Sequence, residues 1–193
     1  MMPEPSTGEP RLPPFADWPG GVEFGEDEGT MWFVPPATLC VQTRAARVDL
    51  RLARLYMNTL RAIRDAERES IAREGGLRLY QDLRSLQVFE RPARIYLAQA
   101  ALEDIGRWRL ACNKIALAAA NPIVRITIQL LATVVVKTGV PGFLVVSELG
   151  HELERDAVAR PETAPEHEAR HAVYARLRDA ASPDHADRGS FAP

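Results

Sequence analysis

Apolar residues recur along this chain at two spacings, and the alternation between them predicts its layout. Short apolar runs at 22–24 and 31–34 flank Gly25-Glu-Asp-Glu-Gly29, which predicts a hairpin. Pro35-Pro36 ends it, because proline cannot donate to a sheet ladder. Residues 39–43 form a third short strand pattern. From Asp49 the spacing changes. Leu52, Leu55, Tyr56, Leu60 and Ile63 fall three and four residues apart, which marks one buried helical face. Asp49 is the expected N-cap, arginines and acids fill the other face through Glu74, and Gly75-Gly76 supply the stop.

The second half repeats the alternation. Residues 77–83, Leu-Arg-Leu-Tyr-Gln-Asp-Leu, predict a strand with a loop at its carboxyl end. A helix follows over 92–110, with Pro92 in the first turn and an apolar face of Ile95, Leu97, Ala98, Leu102, Ile105 and Trp108. The apolar run 114–119 suits a central strand. Asn121-Pro122 opens the next helix. Its body, 123–136, is rich in β-branched residues that favour strands, but its length, its cap and the stop at Lys137-Thr-Gly139 favour helix. Because it is apolar nearly all round, it is expected to be heavily buried or to face a partner subunit. Residues 143–146 are the last strand, and Ser147 is the expected cap of a helix reaching about 159.

This order predicts an α/β fold with a mixed, mostly parallel sheet of four to six strands and about four helices. The helices are expected on both faces, or mostly on one. Residues 1–21 hold six prolines and read as a disordered arm or a surface wrap. Residues 22–160 form the domain, and 161–193 a polar tail with an isolated helix near 165–181.

Composition changes the picture little. The chain has 193 residues, 46% of them hydrophobic, which is ample for a core. A net charge of -2 gives no argument for nucleic acid or an anionic membrane. Lysine occurs only at 114 and 137, which leaves 22 of the 24 basic residues as arginine. Cys40 and Cys112 sit in apolar surroundings without metal spacing, as buried thiols of a reducing cytoplasm would. The most apolar stretch, 126–136, is too short for a membrane span of about 20 residues, and no secretory signal is visible.

Three segments carry a resemblance: Leu77-Arg-Leu-Tyr-Gln-Asp-Leu-Arg, Lys114-Ile-Ala-Leu-Ala-Ala-Ala-Asn-Pro and Phe143-Leu-Val-Val-Ser-Glu-Leu-Gly-His-Glu-Leu. In pattern and order, over about 22–159, they resemble the STAS-like domain. This is the fold of anti-sigma-factor antagonists and of broader relatives compared with lipid-binding domains. The resemblance implies a regulatory module that works by contact. Phosphoregulated antagonists carry a serine or threonine at the start of the helix after the Asp-Leu strand, where a helix N-terminus receives phosphate. Here that junction reads Gln87-Val-Phe-Glu-Arg-Pro-Ala-Arg94, without a hydroxyl. Ser85 lies in the loop seven residues before Pro92, and Glu90 already places a negative charge there. The phosphoswitch is therefore not carried over.

Candidate chemistry is sparse. His151-Glu-Leu-Glu-Arg has an arginine at 155 where a zinc helix needs its second histidine. His167 and His171 share a helical face in a polar stretch with no third ligand in the pattern. Phosphate-cradling glycine motifs and a nucleophile elbow do not occur. Asp82 falls at the carboxyl end of a central strand, where α/β folds place their sites. With Arg84, Ser85, Glu90 and Arg91 it forms the expected polar mouth for a ligand or partner; loop caps and surface ion pairs are the plainer account. Trp32 and Phe33, with Trp18 near the arm, are expected to anchor that arm or to meet a partner.

The expected role is non-enzymatic, without metal or cofactor. A protein partner or a second copy is the first expectation. A lipid or small apolar ligand beneath the 123–136 helix is the second. A hydrolase or transferase built on Asp82 has the least support.

Overall fold

The computed structural model describes residues 14–15, 17–103, 112–137, 142–161 and 165–180. Its centre is a six-stranded sheet with the order β1-β2-β3-β5-β7-β8. Strands β1 (Val22–Glu23), β2 (Gly29–Val34) and β3 (Thr38–Thr43) pair antiparallel, with Val22 opposite Met31 and Trp32 opposite Cys40. Strands β5 (Leu77–Asp82), β7 (Cys112–Ala118) and β8 (Phe143–Val146) extend the sheet in parallel, with Leu39 beside Leu79 and Leu79 beside Ile115. The fold is thus α/β with a mixed, mostly parallel sheet, as the alternating periods predict.

Strand pleat sorts the side chains onto two faces. Met31, Phe33, Leu39, Val41, Leu79, Ile115 and Leu117 join one core cluster, which lies under the main helices. These are α1 (Leu50–Ala66), α3 (Arg91–Glu103), α4 (Pro122–Lys137) and α6 (Pro165–Ala180). Trp32, Cys40, Tyr80, Ala116 and Ala118 point the other way. Among the described residues they pack with Phe15 and Trp18 of the arm, Val146 of β8 and residues in and around the short helix α5 (Gly150–Arg155).

Local chemistry explains the helix ends. The Leu52 amide donates to the Asp49 carboxylate at 2.7 Å, and Asn121 Oδ1 accepts from the amides of Ile123 and Val124. The first helix does not run unbroken to Glu74. It stops at Ala66, and α2 (Arg68–Arg73) resumes after Glu67, whose carboxylate accepts the Tyr174 hydroxyl from α6. Gly75 and Gly76 then take positive φ, which turns the chain into β5.

Three expectations need correction. Ser147 caps no helix: α5 starts at Gly150, with Leu149 before it and no side-chain cap. The helix at 165–180 is not isolated, because it packs on α1 and β1 and buries Tyr174 and His171. Phe15 of the arm is buried and packs with Trp18 and Trp32. A small parallel pair, β4 (Arg47–Val48) with β6 (Val88–Phe89), lies in stretches read as loops. Residues 1–13 of the arm, the end of the expected 92–110 helix and the last residues of the tail lie outside the described residues.

Candidate functional site

The helix face of the sheet is incompletely filled. A cavity of about 180 Å³, partly open to the surface, lies between α1, α3 and the sheet. Leu52 and Leu60 of α1, Leu97 and Ala98 of α3, and Leu117 of β7 line its apolar wall, and Ile128 reaches it from α4. The sequence produces this because α3 presents Ala98 and Ala101 to it, side chains too short to reach the strands opposite. Empty apolar space forfeits dispersion contacts on one side, so a cavity of this size lowers stability unless something occupies it.

Three polar side chains interrupt the wall: Thr43, Tyr56 and Gln81. The Tyr56 hydroxyl donates to Gln81 Oε1 at 3.1 Å. No other hydrogen bond among the described residues engages the side chain of Gln81, which is half-buried in the cavity wall. Burial, with the nearby Cys112 adding to it, pushes the Tyr56 phenol far up, so Tyr56 stays neutral. Among the described residues no charged side chain lines the cavity.

The residues expected to form a polar mouth are mostly engaged with one another or with neighbours. Asp82 is buried at the end of β5. Its carboxylate takes a two-pronged bond from Arg84, at 3.0 and 2.9 Å, and the Arg84 amide as well. The pair closes the loop on itself. Glu90, just before α3, forms an ion pair with Arg47 of β4 at 2.6 Å. Ser85 and Arg91 are exposed. Trp32 and Phe33 are adjacent in sequence and point to opposite faces. Trp32 anchors the arm, its indole N–H donating to the carbonyls of Gly20 at 2.8 Å and Pro19 at 3.2 Å. Phe33 lies edge-on to Tyr174 under α6. Both are buried, and neither presents a surface.

A second polar cluster lies on the arm face. Lys114 bonds Glu152 at 2.8 Å and also Asp156, which accepts the Tyr80 hydroxyl as well. Burial alone would raise the Asp156 carboxyl. Hydrogen bonds from Lys114 and Tyr80 outweigh it and hold the carboxyl below its ordinary value. Tyr80 moves the opposite way, through burial first and then its carboxylate partner. Each member is matched, so the cluster clamps α5 to the sheet.

His171 is buried. Its Nδ1 lies 2.8 Å from the His167 carbonyl, and its Nε2 accepts the Phe33 amide at 3.4 Å. Burial pushes it down to about 4. The His167–His171 pair is therefore a packing feature of α6. Among the described residues no group of three or more histidine, cysteine or acidic side chains is placed to hold a metal ion. Both cysteines are buried and free, with thiols pushed up by burial, Cys112 to about 12.

Helix α4 is not heavily buried as its all-round apolar pattern predicts: one side packs and the other is open. Val124 and Ile128 are buried, whereas Ile123, Ile126 and Leu130 are 74%, 58% and 68% exposed on the outer side. Among the described residues no helix is long and apolar enough to cross a membrane.

Comparisons with protein-family models, with curated proteins and with solved structures find no match for this chain. The site must be read from its own chemistry.

Proposed function

We propose that this chain is a non-enzymatic binding domain for a small apolar molecule. The cavity between α1, α3 and the sheet carries the reading: it is apolar, partly open, and interrupted by three polar side chains, the Gln81 amide among them. Ligand pockets are concave and mainly apolar, with a few polar groups that orient the guest. Among the described residues its wall holds no carboxylate, imidazole, amine or thiol that would act as an acid, base or nucleophile. This agrees with the regulatory character that the STAS-like resemblance implies. Native mass spectrometry of gently purified protein is the test. A bound small molecule in wild type that is lost in Ala98→Leu supports the reading. Ligand-free protein, together with no uptake of added apolar compounds, contradicts it.

A second reading is a module that acts by protein contact, as a homodimer or in a larger assembly. The exposed row Ile123, Ile126 and Leu130 on α4 favours it, because single helices of soluble domains seldom leave three large aliphatic side chains in water. Sedimentation of wild type against Ile126→Glu tests this. A self-associating wild type and a monomeric variant support it; a strict monomer with no copurifying partner counts against it.

A further inference from the structure

We infer that the cavity selects a neutral, single-ring or short-chain molecule carrying one hydrogen-bond acceptor, which the Gln81 amide receives. The inference rests on the binding reading above and specifies the ligand's chemistry. Three observations converge on it.

The first is size. The cavity measures about 180 Å³. An engineered apolar cavity of about 150 Å³ takes up benzene, so the space here suits one ring with a small substituent. A phospholipid or a long acyl chain does not fit within it.

The second is charge. Among the described residues the wall carries no ionic side chain. A carboxylate or ammonium ion entering it would lose its water and gain no counter-ion, which is strongly unfavourable. Neutral guests are therefore favoured over acids of the same size.

The third is polarity. Strand alternation turns Leu77, Leu79 and Gln81 to the helix side, so Gln81 is the single polar residue of β5 in that register. It stands near the strand's carboxyl end, between Val41 and Leu117 in the ladder. Tyr56 donates its only hydroxyl proton to Gln81 Oε1. That bond fixes the amide and leaves its N–H groups as donors. A guest with a carbonyl or ether oxygen completes them; a pure hydrocarbon leaves them unpaired, at a cost in affinity. Tyr56 is thus a positioning residue for Gln81.

The test titrates toluene, acetophenone and benzoate into wild type and Gln81→Leu, read by methyl-resonance shifts in NMR. In wild type acetophenone is expected to bind roughly tenfold more tightly than toluene, as one well-made hydrogen bond allows. Benzoate is expected to give no saturable shift. In Gln81→Leu the preference for acetophenone disappears while toluene still binds. Should that variant fail to fold, the wild-type ranking decides alone. Equal binding of toluene and acetophenone, or benzoate binding as tightly as acetophenone, overturns the ligand class and leaves the binding reading standing. No uptake of any probe overturns the binding reading itself.

Discussion

The two faces of the sheet are closed by opposite means. The helix face is covered by four helices and buries most of the aliphatic core, yet it retains a cavity of about 180 Å³. Among the described residues the arm face is covered by Phe15, Trp18, the short α5 and Val158 after it, yet its polar cluster is matched around Lys114. Thick cover and complete packing are therefore separate properties. The thin face is built to stay shut, and the thick face has room for a guest.

The largest effect that would break this comparison is loss of the arm's anchor. Trp32→Ala removes a buried indole and both of its bonds to the arm. It should cost about 3–5 kcal/mol, the usual range for deleting a buried aromatic, as measured by urea denaturation. A cost near zero would mean that the arm does not close this face. Next comes Lys114→Met, which removes the buried cation of the cluster and leaves Glu152 and Asp156 with the more exposed Arg155. About 2 kcal/mol should be lost, less than the ~3–5 kcal/mol of a buried pair left with no partner, because Arg155 still neutralises part of the charge. A stabilised variant would show that the cluster is not a clamp.

One paired substitution reads the difference in packing directly. Ala118 is fully buried on the arm face, and Ala98 lines the cavity on the helix face. Ala118→Leu should overpack and cost about 1–3 kcal/mol. Ala98→Leu should fill space and shift the urea midpoint by little or upward. Equal losses at both positions would erase the contrast.

Acidification should separate the faces more gently. His171 is buried under α6 with its pKa lowered to about 4, and His167 beside it is lowered too. The unfolded chain then binds the proton more readily than the folded one, so stability falls as pH drops from about 6.5 to about 4. Asp156 is lowered from its ordinary value near 3.8, so its contribution holds above that value and is lost only below it. The helix face should thus loosen first, by about 1–2 kcal/mol, with His171→Gln flattening the slope. Thermal melts between pH 7 and 3.5 check this. A flat profile down to pH 4 in wild type would contradict it.

Much of the fold was legible because it rests on local signals. The three- and four-residue steps from Leu52 to Ile63, the Asp49 and Asn121 caps and the Gly75-Gly76 stop each act within a few residues. Features set by distant partners were not legible. The break at Glu67 coincides with a bond from Tyr174, 107 residues away, and the place of Phe15 depends on Trp32. The cavity's polar residue lies one position from the residue the sequence singled out. Asp82 drew attention as a charge at a strand end, but pleat turns it to the arm face, where Arg84 satisfies it. Gln81 beside it faces the cavity. The signal was present: in Leu77, Leu79, Gln81 and Leu83 a polar amide occupies a position where the alternation calls for an aliphatic. The cavity itself had no such signal, since it arises from the summed shortness of side chains on separate elements.

Xenon uptake tests the central claim most directly, because the gas enters empty apolar cavities without needing a polar anchor. Wild-type protein under xenon pressure should show saturable methyl shifts at Leu52, Leu60, Leu97, Leu117 and Ile128, the residues that line the cavity. Methyls on the arm face, such as Leu149 and Leu153, should stay still. No saturable shift at the lining methyls, or equal shifts on both faces, would contradict a fillable cavity confined to the helix side.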